Sequence, residues 1–180
     1  AFESDLRSGA SEVYLHEMPG GQFTNLKEQA RALGLETRWH EVAQTYADVN
    51  RLFGDIVKVT PTSKVVGDMA LAMVAAGITI KDVEDPAKDV AFPDSVVQLF
   101  RGDLGQPPGG WPKALQAKIL KGQPAYTDRP GAKMAPADLD AVRAELAKKT
   151  GKDAAAVSNT DLASYLMYPK VFIDYARMQE

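Results

Sequence analysis

The chain has 180 residues, 45% hydrophobic and 25% charged, with a net charge of −3. This is typical of a globular domain with a sizeable core and offers no basic surface for nucleic acid. It contains no cysteine, no apolar stretch near the ~18 residues of a membrane span and no signal-peptide pattern in residues 1–5, so we expect a cytoplasmic protein without disulfides, membrane or nucleic-acid partners.

The N-terminal third predicts a short extended segment followed by two helices. Residues 1–23 lack a helical pattern, and Val13–Leu15 has the composition of a short strand. The run Pro19–Gly21 predicts a tight turn, because glycine accepts the positive φ values that other residues avoid. Apolar spacing then predicts a helix over 24–33 and a second over 37–53.

The rest of the chain predicts further helices separated by loops rich in glycine and proline. Glycine at helix ends and proline at helix starts delimit these segments. The loop 122–131 marks a domain boundary, which divides the chain into 1–121 and 122–180. The predicted helical segments are 62–76, 79–83, 93–101, 112–120, 136–149, 160–168 and 169–178. The sequence therefore predicts a mainly α fold.

Thr24 is the first candidate functional residue. The predicted glycine turn would deliver its hydroxyl to the start of the first helix, whose apolar face is Leu26, Ala30 and Leu33. Helix N-termini carry unpaired N–H groups and partial positive charge, which would suit a carboxylate or enolate. The structural alternative is an N-cap threonine, although Lys27 stands where a capping box has Glu or Gln.

Other polar residues have simpler structural interpretations. His16 and Glu17 are adjacent in a segment expected to be extended, so they would point to opposite faces rather than form an acid–base pair. His40 is expected on a solvated helix face, and the two histidines predict no metal site. Lys58 and Lys64 flank a helix start rich in Pro, Ser and Thr, which is either a charged rim or an anion contact.

Five separated motifs resemble the carboxyltransferase part of the pyruvate carboxylase family. They occur in the family's order and spacing and span nearly the whole chain, which makes the combined signal far more specific than the glycine turn alone. The motifs are His16–Leu26 (HEMPGGQFTNL), Lys58–Asp68 (KVTPTSKVVGD), Phe92–Val97 (FPDSVV), Gly105–Pro112 (GQPPGGWP) and Met167–Phe172 (MYPKVF).

The resemblance implies a biotin-dependent ligase that transfers a carboxyl group from carboxybiotin to pyruvate and forms oxaloacetate. In that family the threonine of the first motif, here Thr24, moves a proton between the methyl group of pyruvate and the ureido nitrogen of biotin. A hydroxyl suits this task because it both donates and accepts hydrogen bonds. The candidate contacts to biotin or substrate are Gln22, Lys27 and Lys58.

The resemblance also implies which parts lie elsewhere. In the family, a (β/α)8 barrel upstream of the first motif supplies the ligands of a divalent metal and the arginine that holds pyruvate, and biotin is carried on a separate domain. We therefore expect a helical extension in which residues 1–121 cap the barrel and 122–180 lead toward the allosteric region. The expected partners are the barrel, the biotin carboxyl carrier domain and pyruvate, within a homo-oligomer.

Two alternatives remain open from the sequence. The α subunit of a biotin-dependent oxaloacetate decarboxylase, or a transcarboxylase, shares the Pro-Gly-Gly-Gln turn, although His16–Met18 and Phe23 are more similar to pyruvate carboxylase. The isolated chain could also be a non-catalytic interaction or scaffold module, because it lacks the residues that the family's barrel supplies.

Overall fold

The computed structural model describes residues 11–132 and 134–178. Across these residues the regular elements are all helical, which confirms the predicted mainly α fold. The chain divides into two compact units, the first ending at residue 133 and the second beginning at residue 134. None of the described helices is long and apolar enough to cross a lipid bilayer.

The first unit is built around two long helices that pack against each other, α3 and α4. The helix α4 also contacts α2 and α6, and α6 contacts α7. A short 3-10 turn at Glu36–Arg38 leads into α3. Between residues 11 and 132 the α-helices of this unit are α1 (Val13–His16), α2 (Gly20–Ala32), α3 (Trp39–Leu52), α4 (Thr62–Ala76), α5 (Ile80–Glu84), α6 (Asp94–Arg101) and α7 (Lys113–Leu120).

The core of the first unit follows from the apolar pattern of α3 and α4. In α3 the fully buried side chains Val42, Tyr46 and Val49 recur at helical spacing, so one face packs inward while the other remains polar. The helix α4 is apolar on most of its circumference and is therefore covered on several sides. Its buried apolar residues are Val65, Val66, Met69, Ala70, Leu71, Met73 and Val74.

The structure corrects the prediction for the N-terminal segment. Val13–Leu15 lies in the short helix α1 rather than in a strand. The helix α2 begins at Gly20, four residues before the predicted start, and the N–H of Phe23 already donates to the carbonyl of Pro19 at 2.9 Å. Neither glycine of this run has a positive φ, so no tight turn forms there. Leu33, predicted on the apolar face, is the 58% exposed C-cap.

The later helices lie close to their predicted positions. The helix α4 spans the predicted residues and ends at Gly77, which has the left-handed φ of 67° expected of a glycine C-cap. The helices α6 and α7 each begin one residue after a proline. The predicted helix from residue 136 begins instead at Leu139, because the Asp138 carboxylate caps the N–H groups of Asp140 and Ala141.

Across residues 134–178 the second unit contains three α-helices, which are α8 (Leu139–Thr150), α9 (Asn159–Met167) and α10 (Pro169–Met178). Ser158 and Asp161 form a capping box at the start of α9. A small hydrophobic cluster holds the three helices together. Its buried residues are Leu146, Ala147, Val157, Tyr165, Phe172 and Ala176.

Candidate functional site

The exposed face of α2 carries Thr24. This residue lies in the second turn of the helix, and its hydroxyl donates to the carbonyl of Gly21 at 3.1 Å. The expectation that Thr24 stands at the helix start is therefore wrong, and so is the N-cap alternative, because Pro19 occupies the N-cap. Lys27 is half-buried and lies three residues further along the same side of the helix. Thr24 and Lys27 thus share one face.

The opposite face of α2 packs against α4 through Gln22. This side chain is only 8% exposed, and an added Cβ on Gly67 of α4 would lie 2.4 Å from its Nε2 and 2.9 Å from Cδ1 of Leu26. Glycine at position 67 therefore lets the two helices approach closely. Within the described residues the Gln22 Nε2 has no hydrogen-bond partner. The structure does not bring Gln22 to the face that carries Thr24.

An ion pair ties the segment before α2 to the segment before α4. Glu17 adopts the left-handed conformation, with a φ of 54°, and its Oε2 accepts a hydrogen bond from Lys58 Nζ at 2.7 Å. The Lys58 side chain is only 14% exposed. The hydrogen bond and the charge of Lys58 lower the pKa of the Glu17 carboxyl. The Lys58 ammonium is therefore paired inside the chain, and it connects the first motif with the second.

His16 is a buried residue beneath the start of α2. It is 3% exposed, and its Nδ1 accepts the backbone N–H of Met18 at 3.0 Å. Its ring stacks on Phe23 at a centroid distance of 5.2 Å, and Phe23 in turn meets Trp39 of α3 edge-on at 5.3 Å. Burial lowers the pKa of His16, while the charge of Glu12 opposes this effect.

The sequence interpretation favoured a structural or surface role for His16 but did not identify its partners, Met18 and Phe23. Because this segment was expected to be extended, nothing indicated a hydrogen bond between His16 and Met18, two positions apart. The sequence gives no clear signal for this burial, because histidine is intermediate in its tendency to be buried and its neighbour Leu15 is itself 73% exposed.

The second and third motifs also contact each other, and the fourth packs on the helix α6 that contains most of the third. The Asp68 Oδ2 accepts hydrogen bonds from Lys64 Nζ and from Ser95 Oγ, both at 2.7 Å. Trp111 of the fourth motif packs on Phe100 at 4.4 Å. Side-chain contacts therefore connect the first three motifs within the first unit, in which Lys64, like Lys58, is paired with a carboxylate.

The described residues do not offer a metal site. In the ranges 11–132 and 134–178 no group of three or more His, Asp or Glu side chains could hold a metal ion. The donor set of these described residues therefore does not fit a divalent metal, and we derive no chemical step through a metal here.

Comparison with known proteins places this arrangement in context. The family model described as the conserved carboxylase domain matches residues 13–180. The pyruvate carboxylase of Bacillus subtilis is 50% identical over 179 residues, which is 99% of this chain and 15% of that protein. The pyruvate carboxylase of Schizosaccharomyces pombe is 49% identical over 176 residues, covering 97% of this chain and 14% of that protein.

A solved structure has the same fold. The carboxyl transferase domain of Rhizobium etli pyruvate carboxylase, determined with pyruvate and biocytin, is 66% identical and superposes with a TM-score of 0.89. The match covers 99% of this chain and 30% of that one. The chain thus corresponds to a small part of these longer proteins.

Proposed function

The chain belongs to the conserved carboxylase domain family. We propose that it is part of a biotin-dependent pyruvate carboxylase that converts pyruvate to oxaloacetate. The family match confirms the resemblance that the five motifs indicated. The relatives described above are pyruvate carboxylases, which favours this activity over that of an oxaloacetate decarboxylase subunit or a transcarboxylase. The partners in this proposal are an upstream barrel, a biotin carrier domain, pyruvate and further copies of the enzyme.

The observation that carries the proposal is the exposed hydroxyl of Thr24 on the face of α2 that the core does not use. Carboxybiotin supplies the carboxyl group when its carrier domain is bound. The Thr24 Oγ1 accepts a proton from the methyl group of pyruvate as its own proton passes to the ureido nitrogen of biotin. Because the hydroxyl gains one proton and loses another, no net charge develops on it.

The other candidate residues take different parts in this proposal. Lys27 shares the face of Thr24, so its ammonium is the group that contacts the carboxylate of the substrate or the biotin ring. Gln22 and Lys58 act through contacts within the chain and not directly on the substrate, because Gln22 packs against Gly67 and Lys58 is paired with Glu17. Residues 1–121 cap the barrel, which holds the divalent metal, and residues 122–180 lead toward the allosteric region.

Thr24→Ala in the intact enzyme tests the proposal. We expect carboxyl transfer to pyruvate to fall by about a hundredfold or more, because a positioned acid–base group is worth roughly 10²–10⁴ in rate. ATP-dependent carboxylation of biotin, at its separate site, should stay near normal. Thr24→Ser should retain much of the transfer because the hydroxyl remains.

The structure also separates this effect from a loss of stability. Thr24 is exposed and is not a cap, and alanine is the better helix former by a few tenths of a kcal/mol, so Thr24→Ala should be at least as stable as the wild type. Thr45→Ala, the same change in α3, is the matched control and should leave transfer unchanged. Near-normal transfer by Thr24→Ala would contradict the proposed role.

A further inference from the structure

His16 is a buried titratable group that the proton transfer proposed above does not use. Its Nδ1 accepts the N–H of Met18, so the neutral ring carries its proton on Nε2. That Nε2 finds no hydrogen-bond partner in the part of the chain that the structure describes. A buried histidine with one nitrogen unpaired has a cost in stability, which points to a role for the nitrogen that is paired.

The imidazole touches the chain on both sides of the start of α2. On one side it holds the backbone of Met18, which is 2% exposed and directly precedes Pro19, the N-cap of α2. On the other side its ring stacks on Phe23, the immediate neighbour of Thr24. Phe23 itself packs edge-on against Trp39 of α3. The first two turns of α2 are therefore held through one side chain.

We propose that His16 is a positioning residue for the carboxyl transfer, because its neutral imidazole holds the first two turns of α2 and thereby sets the place of the Thr24 hydroxyl. This inference rests on the proposed function. This positioning requires a hydrogen-bond acceptor at the place of the His16 Nδ1, since the Met18 N–H would otherwise be buried without a partner.

The same geometry makes the arrangement sensitive to pH. Protonation places a hydrogen on Nδ1, where it faces the Met18 N–H, so the hydrogen bond is lost. Among the described residues, the titratable groups beside the ring are Glu12, which precedes α1, and His40 of α3. Together with His16 they line a cavity of about 180 Å³. Burial outweighs the charge of Glu12 and keeps the pKa of His16 below its ordinary value of 6.5. The ring should therefore stay neutral at pH 6.5 and above, and positioning should fail only at a lower pH, where the imidazole takes up a proton.

Two variants in the intact enzyme separate the acceptor from the ring. His16→Phe keeps an aromatic ring against Phe23 but removes the acceptor, and we expect carboxyl transfer to fall by about tenfold to a hundredfold, as for a misplaced catalytic group. His16→Asn places a side-chain oxygen near the position of Nδ1 and does not titrate. It should restore most of the transfer at neutral pH and lose the part of the acid inactivation that His16 causes.

The control is His40→Asn. It replaces the other histidine of the chain, whose side chain is 83% exposed. It should keep both the wild-type rate and the wild-type pH profile. ATP-dependent carboxylation of biotin is measured for every variant. It shows whether a variant has lost all activity or only the carboxyl transfer.

Three results overturn the inference. These are wild-type transfer by His16→Phe, a His16→Asn enzyme no better than His16→Phe, and a His16→Asn enzyme that keeps the whole acid limb of the wild type. Thr24→Ala, assayed beside them, distinguishes the two proposals. If Thr24→Ala is impaired and His16→Phe is not, only the positioning role fails. If Thr24→Ala transfers normally, the proposed function of the site fails, and the inference fails with it.

Discussion

Replacing Gly67 with alanine perturbs the contact that places α2 on α4. The added Cβ would lie 2.4 Å from Nε2 of Gln22 and 2.9 Å from Cδ1 of Leu26, and real Cβ atoms do not approach other atoms so closely. Both atoms are at the ends of side chains, but Gln22 is 8% exposed and Leu26 is fully buried, so neither has free space to move into. Either the side chains leave their rotamers or α2 shifts away from α4.

The magnitude follows from two opposing effects. Overpacking of this kind typically destabilises by about 1–3 kcal/mol. Alanine in a helix interior is more favourable than glycine by about 1 kcal/mol, and Gly67 has no positive φ that would strain an alanine. Gly21→Ala isolates the second effect, because Gly21 is helical and has no atom within 4 Å of an added Cβ. We expect Gly67→Ala to be less stable than Gly21→Ala by about 1–3 kcal/mol.

Urea unfolding of the 180-residue chain, followed by tryptophan fluorescence, measures this difference. Trp39 and Trp111 are both buried in the first unit and report its unfolding. The double variant Gln22→Ala/Gly67→Ala should recover stability, with a coupling of about 0.5–3 kcal/mol in the double-mutant cycle. The reasoning is refuted if Gly67→Ala stabilises the chain as much as Gly21→Ala does, or if the cycle shows no coupling.

Three further predictions follow from other parts of the molecule. The isolated chain should not decarboxylate oxaloacetate in the presence of free biotin, and clear turnover would show that no barrel is needed. Hydrogen bonds from Lys88 and Thr79 hold the pKa of Asp82 well below its usual range. Stability should therefore fall as the pH drops below about 4, where the unfolded carboxyl takes up a proton first. Asp82→Asn should flatten this dependence in acid-unfolding curves, and an unchanged curve would contradict the assignment. The α10 side chains Val171 and Tyr175 are 67% and 50% exposed, so the chain should self-associate, and changing both to lysine should shift it toward monomer in sedimentation experiments.

The helices whose signals are local were predictable from the residues. The apolar positions of α4 recur at helical spacing, and Gly77 supplies the left-handed end that a helix needs. The prolines before α6 and α7 act through their own fixed φ, which depends on no distant residue. The motifs identified the family in the same way, because they are runs of consecutive residues at fixed spacing.

The start of α2 was decided by packing. Gly20 and Gly21 favour a turn by their own preferences, yet the chain continues the helix through them. The pattern at residues 20–26 contains no information about Gly67, against which Gln22 packs. The energy of such a contact outweighs the small preference of glycine for a turn.

The surroundings of Thr24 depend on the tertiary structure for the same reason. The hydroxyl itself and its place beside Phe23 are evident in the chain, but the helix face that it occupies depends on where α2 begins. From the sequence, Lys58 was either part of a charged rim or an anion contact, and only the fold brings it within 2.7 Å of Glu17, 41 residues away. Partners so far apart in the chain meet only when the core between them packs, so no local pattern of residues could have indicated the pair.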